Sequence, residues 1–502
     1  MKNRVVLFAL LCVLVGYGVL VYLSFDPRLD SGGDSAGYLL LGEALAQGKG
    51  FVDLYKPGMP PHNHFPPGYP LILAIGIKLG IRSIVGLKVV SALFSVGVIV
   101  LVFLLLRGWG DWLALGVCAM LGTTPFYLEY TSKILSEAPF LFFFLLSVYL
   151  SAREEKWAFW GALLFCVFSF YIRSAGLALI PGLALSYFLR GKKRESVVFL
   201  LVGVFLCVPW MIRNSVVGGV RTSYVEELLM KNPYDPSAGS ISLFGFVKRI
   251  FVNLWTYLVL FFPASVVTPL INIAAQGGGG RLVVALIGLC LLGFWVWGIW
   301  RTERGFKHPL YWGSLLLFCS LLVWPEVWRS YRFFLPILPV MFLGILLGVR
   351  TLWKDGVLVV VGVIVLVSIV GMWGSIEGMA RVRGAYFRFG DKFAGYHPAI
   401  KNYLVMSEWA GKNLPQDALF VCRKPELFSV FARRKAIIYP FTSDREEMWK
   451  FIRDKGVDYI LVDGWMSTTQ KYLLPALQEH SDSLEVVGGL KEPLTLMVRV
   501  IK

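Results

Sequence analysis

Charge is scarce in this sequence. Of its 502 residues only 16% are Asp, Glu, Lys or Arg, while 57% are hydrophobic, a balance that leaves too few charged side chains for an ordinary water-soluble chain. Cysteine is scattered: of the seven, Cys12, Cys118, Cys166, Cys207, Cys290 and Cys319 fall inside apolar runs and Cys422 stands alone. That pattern excludes a disulfide framework and shows no metal-ligand spacing. No glycine-rich phosphate loop follows a strand-like segment, which excludes a nucleotide-binding module of that kind. The net charge of +17 requires no nucleic-acid partner, because the basic residues sit mainly in short turns between apolar runs, where the positive-inside rule puts them.

What the sequence has in abundance is apolar length. Runs of about 20 residues recur from Val5 to Trp373, each long enough to cross a hydrocarbon core as a helix. The expected class is a polytopic α-helical membrane protein. Met1-Lys2-Asn3-Arg4 resembles the charged start of a signal peptide, but Val5–Phe25 is too long for a signal core and no small-residue cleavage site follows, so it reads as a retained anchor. Basic ends at Lys2/Arg4, Arg107, Arg153/Lys156, Arg190–Arg194, Arg301/Arg304/Lys307 and Arg350/Lys354 all become cytoplasmic if the spans are roughly 5–24, 84–106, 112–126, 138–152, 157–172, 174–189, 196–212, 281–300, 309–325, 333–349 and 356–373. This gives about eleven transmembrane helices, with the N-terminus inside and the C-terminus outside. It requires that 69–80 and 249–270, the latter carrying Pro263 and Pro269, lie along the outer face without crossing.

From Ser375 the pattern changes. Asp417–Cys422, Lys435–Tyr439 and Val457–Val462 read as short strands, with helices at Pro425–Arg434 and Asp444–Lys455. A helix at Thr468–His480 precedes strands near Leu484–Val487 and Leu494–Ile501. The alternation predicts a small α/β domain. The expected division is a transmembrane unit, 1–374, with outer-face loops 25–83 and 213–280, and a soluble outer domain, 375–502, with a structural or acceptor-docking role.

The residues with chemistry gather at one face of that topology. Asp34 in the first outer loop and Glu137 at the start of the fourth helix reach the same side as Lys133, Arg173, Arg213, Arg329 and Arg332. Ionisable groups at membrane depth are costly and usually functional. The bland alternatives are snorkelling to headgroups for each basic residue and helix N-terminal charge for Glu137. Taken together, two acids and a basic cluster suit a reaction between a lipid phosphate and a hydroxyl: a carboxylate takes the hydroxyl proton while arginines fork onto the phosphate. His62 and His64 would face one side of an extended segment as phosphate or metal ligands, or simply belong to a polar loop before the Pro66-Pro67-Gly68 turn. Two histidines alone make a poor metal signature.

The order Asp34-x-x-x-Tyr38, Phe65-Pro66-Pro67-Gly68-Tyr69-Pro70, Lys88, Ser136-Glu137-Ala138-Pro139, Tyr171-Ile172-Arg173, Trp210-Met211-Ile212-Arg213-Asn214 and Tyr331-Arg332-Phe333-Phe334-Leu335-Pro336 resembles the GT-C membrane glycosyltransferases. It is similar in particular to the protein O-mannosyltransferase and lipid A aminoarabinose transferase group. The resemblance covers most of the membrane region and rests on order and topology. It implies a GT-C-type fold and an inverting transferase that moves a monosaccharide from a polyprenyl-phosphate donor to a lipid, glycan or protein acceptor. The site and the C-terminal domain would lie on the outer face of a cell (inner) membrane. Asp34 and Glu137 take the catalytic positions; Arg173, Arg332, Arg213, His64 and Lys133 the donor phosphate; Tyr38, His62, Tyr69 and Tyr331 the substrate. No resident cofactor is implied with certainty, and a divalent metal is left open with His62 and His64 as its candidate ligands. The chain departs from the mannosyltransferases, which often pair acids in the first loop, by placing Ser35 after Asp34; the partner role then falls to Glu137, Asp30 or Asp53. It departs from aminoarabinose-type relatives by holding Phe65 where they tend to carry lysine. The rival class is a transporter or flippase of lipid-linked sugars, which would show inverted repeats and ionisable residues near span centres. This chain keeps its charges at the ends.

Overall fold

The computed structural model describes residues 2–217, 224–275, 277–302 and 307–501. Arg304 of the basic turn and residues 218–223 and 276 of the expected 213–280 loop lie outside the described residues. Among those described, seven helices are long and apolar enough to cross a membrane: Asn3–Ser24, Ile84–Trp109, Lys193–Val217, Leu243–Val266, Gly278–Trp300, Tyr331–Leu352 and Gly356–Phe389. Shorter apolar helices, Gly68–Lys78, Asp111–Thr123, Glu137–Ser151, Lys156–Ile172, Ser174–Leu189 and Pro309–Leu322, pack with them. Such segments form helices because lipid offers the backbone no hydrogen-bond partner, so each N–H must be satisfied within its own segment. The protein is a polytopic helical membrane protein with a small C-terminal sheet.

Packing sorts the helices into centre and rim. Tyr331–Leu352 has 83% of its apolar window buried, whereas Asn3–Ser24 has 17% and Lys193–Val217 has 22%. The rim helices are apolar all round yet largely uncovered, which water would penalise and lipid does not. Close approach at the centre depends on glycine. A Cβ on Gly348 would run into the Phe294 carbonyl and one on Gly298 into the Gly344 carbonyl, the small-residue contact by which membrane helices gain van der Waals packing. Trp295 then donates its indole N–H to the Val340 carbonyl at 3.1 Å.

The basic turns gather at the opposite end of the bundle from the site described below. Arg350 donates to the Trp109 carbonyl at 2.7 Å and Arg190 to the Ser151 carbonyl at 2.8 Å, while Lys192 pairs with Glu154. These cations satisfy carbonyls that helix ends leave orphaned and sit where the dipole favours them.

The structure departs from the sequence reading at several elements. Five of the eleven expected spans, 112–126, 138–152, 157–172, 174–189 and 309–325, are shorter apolar helices. The Leu243–Val266 helix meets the length and apolarity of a crossing helix, where the sequence reading laid 249–270 along the outer face without crossing. It continues through Pro263 because a π-helical stretch, Thr256–Phe261, comes immediately before, and the proline then opens the next helical segment, Phe262–Val266, where its missing N–H matters least. Its Asn253 amide donates to the carbonyls of Leu322 and Trp324 at 2.8 and 2.9 Å, so this stretch packs beside the site end of the bundle. The segment 25–83, expected as an outer-face loop, contains a helix, Asp34–Ala46, in addition to Gly68–Lys78. The last membrane helix runs on to Phe389 and ends at Gly390, φ +68, a left-handed C-cap that glycine adopts freely.

The C-terminal sheet has five strands, β1 (Leu419–Val421), β2 (Lys435–Ile437), β3 (Tyr459–Val462), β4 (Leu484–Leu490) and β5 (Thr495–Val500), in the order β2-β1-β3-β5-β4. β1 is parallel to β2 and β3; β5 is antiparallel to β3 and β4. Every residue of β3 is buried, which explains its continuous apolar sequence Tyr-Ile-Leu-Val. Helices Pro398–Asn413, Pro425–Ala432 and Arg445–Asp454 accompany the sheet. The domain is docked on the segment 25–83 that follows the first membrane helix: the Ala436 amide donates to the Tyr55 carbonyl at 2.8 Å and Arg433 pairs with Glu43 at 3.1 Å.

Candidate active site

Helix ends bring the polar residues together. Glu137 opens the helix Glu137–Ser151, where an acid complements the dipole. Arg173 follows Lys156–Ile172 in extended conformation, which turns its side chain back toward Glu137. Arg332 lies on the short helix Tyr331–Phe334, whose cap, the Ser330 hydroxyl, accepts from the Arg332 amide. Asp34 begins Asp34–Ala46.

Their side chains form one continuous chain of charge. Arg173 Nη1 meets Glu137 Oε1 at 2.6 Å; Arg332 Nε lies 3.5 Å from the same oxygen, and Arg332 Nη1 is 3.0 Å from Asp34 Oδ2. The Phe333 ring lies beside both guanidinium groups, 5.2 Å from Arg173 and 4.7 Å from Arg332, within cation–π range. Arg173 also donates to the Ser136 hydroxyl at 3.2 Å, which is 3.1 Å from the Tyr38 hydroxyl. Glu137 Oε2 is buried and has no hydrogen-bond partner among the described residues, a state that costs about 1–3 kcal/mol unless something donates to it. Burial pushes the Asp34 carboxyl up, but Arg332, Lys424 and His64 outweigh it and hold the group below the ordinary carboxylate value.

These groups line a cavity of about 1170 Å³. Asp34, Glu137, Arg173, Arg332, His62, His64, Lys133 and Tyr38 all face it, together with Trp324, Trp328, Arg329 and Tyr130. Arg213, Tyr69 and Tyr331 are not among its lining residues. Arg213 donates to the His62 carbonyl and to Asn214, so it braces the histidine loop. Tyr69 is fully buried behind Tyr38, with its hydroxyl 3.1 Å from Ser91. Tyr331 is stacked between Phe126 and Phe261, each 3.9 Å away. Lys133 bridges Asp30 at 3.0 Å and Glu129 at 2.7 Å. Lys88 is buried at the Asp26 and Arg28 carbonyls, bracing the loop ahead of Asp34.

Sequence reasoning missed a second wall. Arg423, Lys424 and Glu426 of the C-terminal domain line the same cavity. No local signal marks them: Arg423 and Lys424 occupy an ordinary strand-to-helix connection and Glu426 the first turn of the helix that follows, and only the tertiary docking of the domain brings them to Asp34.

No family model and no curated protein matches the sequence. Solved structures do. ArnT from Cupriavidus metallidurans bound to undecaprenyl phosphate is similar with a TM-score of 0.60 and 12% identity over 97% of both chains. The archaeal oligosaccharyltransferase AglB from Archaeoglobus fulgidus, in complex with an inhibitory peptide and a dolichol-phosphate, is similar with a TM-score of 0.54 and 13% identity, covering 90% of this chain and 69% of that one. The chain shares its fold with these structures. At such identities the likeness is one of fold, and a shared scaffold does not by itself assign a reaction.

A further solved structure, the Archaeoglobus fulgidus oligosaccharyltransferase complexed with Zn and sulfate, is similar with a TM-score of 0.52 and 15% identity, covering 89% of this chain and 67% of that one. In this chain the donor set does not suit a metal. Among the described residues no cluster of three His, Cys, Asp or Glu forms; of the acids that face the cavity, Glu137 and Asp34 are matched with guanidinium groups, Asp30 with Lys133 and Asp53 with Lys56 and His62. His62, a candidate ligand in sequence, has Nδ1 2.6 Å from Asp53 and accepts the Phe65 amide on Nε2 at 2.7 Å, so both ring nitrogens serve the loop.

Proposed function

We propose that this chain is an inverting glycosyltransferase that moves a monosaccharide from a polyprenyl-phosphate donor to a hydroxyl of a lipid, glycan or protein acceptor. The observation that carries the reading is the chain Asp34–Arg332–Glu137–Arg173 at the wall of a cavity of about 1170 Å³. That volume exceeds the ~300–1,000 Å³ of ordinary small-molecule sites, which suits a site that seats donor head and acceptor together. The cavity lining also includes Leu177, Pro181, Val323 and Val327, an apolar wall suited to a prenyl chain.

In this reading Asp34 accepts the acceptor proton. Its neighbours hold it ionised, the state a base requires. The acceptor oxygen attacks the anomeric carbon on the face away from the phosphate, the bond from that carbon to the phosphate oxygen breaks, and the electron pair leaves with the phosphate. Arg173 and Arg332 stabilise the growing negative charge; each guanidinium has five N–H groups, of which the bonds to Glu137 and Asp34 use only some. Glu137 orients both guanidiniums through Oε1 and receives a sugar hydroxyl on Oε2, which ends that atom's isolation. No step uses a metal.

The same reading places the Arg190–Arg194 end inside and the site outside a cell (inner) membrane, with 1–374 as the transmembrane catalytic unit and 375–502 as the outer domain. Comparing lipid-linked sugars and envelope glycans between cells carrying the wild type and Asp34→Asn tests it. The expected result is accumulation of one polyprenyl-linked sugar and loss of one envelope modification in the variant; identical profiles from a well-expressed variant contradict it.

A further inference from the structure

The C-terminal domain does more than cover the cavity. Lys424, between β1 and the Pro425–Ala432 helix, donates from Nζ to the Gly32 carbonyl at 2.6 Å. Gly32 and Gly33 form the turn immediately before Asp34, and Gly33 is the N-cap of the Asp34–Ala46 helix with φ +101, a conformation that glycine tolerates and other residues resist. No side chain caps that helix; within the turn the Asp30 carboxylate accepts from the Gly32 amide at 3.0 Å at an exposed position, and Lys424 holds the Gly32 carbonyl from outside. The lysine stem covers the turn: a Cβ on Gly33 would lie 3.4 Å from both Cδ and Nζ of Lys424. Lys424 is itself fixed, because its carbonyl accepts the buried Tyr403 hydroxyl at 2.9 Å and the next residue opens a helix packed on Asp34–Ala46.

We propose that Lys424 is a positioning residue for Asp34, reaching from the C-terminal domain to hold the Gly32–Gly33 turn that aims the carboxylate into the cavity. Arg332 and His64 face Asp34 from the other elements, and Arg423, Glu426 and Asp30 flank the lysine. Removing the Lys424 cation therefore lets the Asp34 carboxyl titrate at higher pH. The C-terminal domain is part of the reacting site in this view. The kinetic half of the inference rests on the transferase reading above; the structural half does not.

The test uses the full-length protein in nanodiscs as Lys424→Met, Lys424→Arg and Arg433→Ala, the last removing the separate docking pair with Glu43. Hydrogen exchange is read at the Gly37 amide, which donates to the Gly33 carbonyl at 2.9 Å, and kcat and KM are read against pH with any polyprenyl-phosphate sugar the wild type turns over. Lys424→Met is expected to speed Gly37 exchange several-fold. It should also lower kcat by about 10- to 100-fold, the loss of one hydrogen bond to a charged group, with KM little changed and the acid limb moved to higher pH. Lys424→Arg should restore most of the rate, and Arg433→Ala should leave exchange and acid limb as in the wild type. Unchanged Gly37 exchange in Lys424→Met overturns the proposal whether or not any donor is used. A slower variant with an unmoved acid limb, or equal effects from Arg433→Ala, also overturns it. Faster exchange in Lys424→Met beside a wild type inactive on every donor would remove the transferase reading and leave the positioning contact supported.

Discussion

Arg332 touches both carboxylates of the site, so its replacement tests whether they work as one unit. At about 4 Å a unit charge pair is worth ~4 kcal/mol at an effective dielectric of 20, but the two contacts do not count equally. Asp34 is 38% exposed and Arg332 26%; solvent screening reduces that contact to about 1 kcal/mol or less. Glu137 is only 5% exposed, and breaking a buried pair costs about 3–5 kcal/mol. Arg173 remains at 2.6 Å to share that burden, which leaves about 2–3 kcal/mol for Arg332→Met. Arg332→Lys keeps the charge, but a single ammonium replaces the fork that reaches Asp34 through Nη1 and Glu137 through Nε. The expected cost is about 1–2 kcal/mol in the transition state, roughly a tenfold fall in kcat at 1.36 kcal/mol per factor of ten. Donor affinity should fall less, because the charge on the leaving phosphate grows as the bond breaks. The assay is turnover of a radiolabelled polyprenyl-phosphate sugar by purified protein, with melting followed by intrinsic fluorescence. A lysine variant with wild-type kcat and only a raised KM would refute the reasoning.

Asp34→Asn, nearly isosteric, should abolish transfer while leaving expression, insertion and Tm near wild type, since its contact with Arg332 is half-exposed; near-normal turnover in the purified variant would remove Asp34 from the role of base. A cysteine at exposed Ser467, in a background lacking the exposed Cys12, Cys290 and Cys319, should react with an impermeant thiol reagent on intact cells, and labelling only after lysis would reverse the topology. Burial raises the Asp53 carboxyl, but the His62 bond and charge and the Lys56 charge outweigh it and lower it from 3.8 to about 2. Its contribution to loop stability is therefore present above pH ~4 and is lost as pH falls toward 2, so hydrogen exchange across 51–65 should rise in that window and Asp53→Asn should remove the pH dependence. Gly348→Leu should lower Tm by several degrees, because its side chain would meet the Phe294 backbone, and an unchanged Tm would contradict the close helix approach.

The readable parts of the chain were those governed by local physics. Apolar length marks the membrane helices, and every strand expected after Ser375 appears within a few residues, because alternating strand and helix patterns with polar turns are local signals. That Asp34, Glu137, Arg173 and Arg332 reach one face was legible because Glu137, Arg173 and Arg332 sit at the ends of apolar runs and Asp34 lies in the loop after the first. Contacts over long separations were not. Lys424 meets Gly32 across 392 residues, and nothing in its own segment marks it. Tyr331, a substrate candidate by its place in the motif, is taken up by stacking on Phe126 and Phe261, and Arg213 by the His62 carbonyl. A one-dimensional pattern gives the face a residue reaches and not the partner it finds there.

The central claim is transfer of a sugar from a lipid phosphate. It is tested most directly in proteoliposomes given radiolabelled polyprenyl-phosphate sugars and a membrane extract as the acceptor source. The account expects label to appear on an acceptor, with release of free polyprenyl phosphate and loss of both in Asp34→Asn. Donor moved intact across the bilayer, with no glycosylated product from any donor tried, would contradict it and indicate a carrier of lipid-linked sugars.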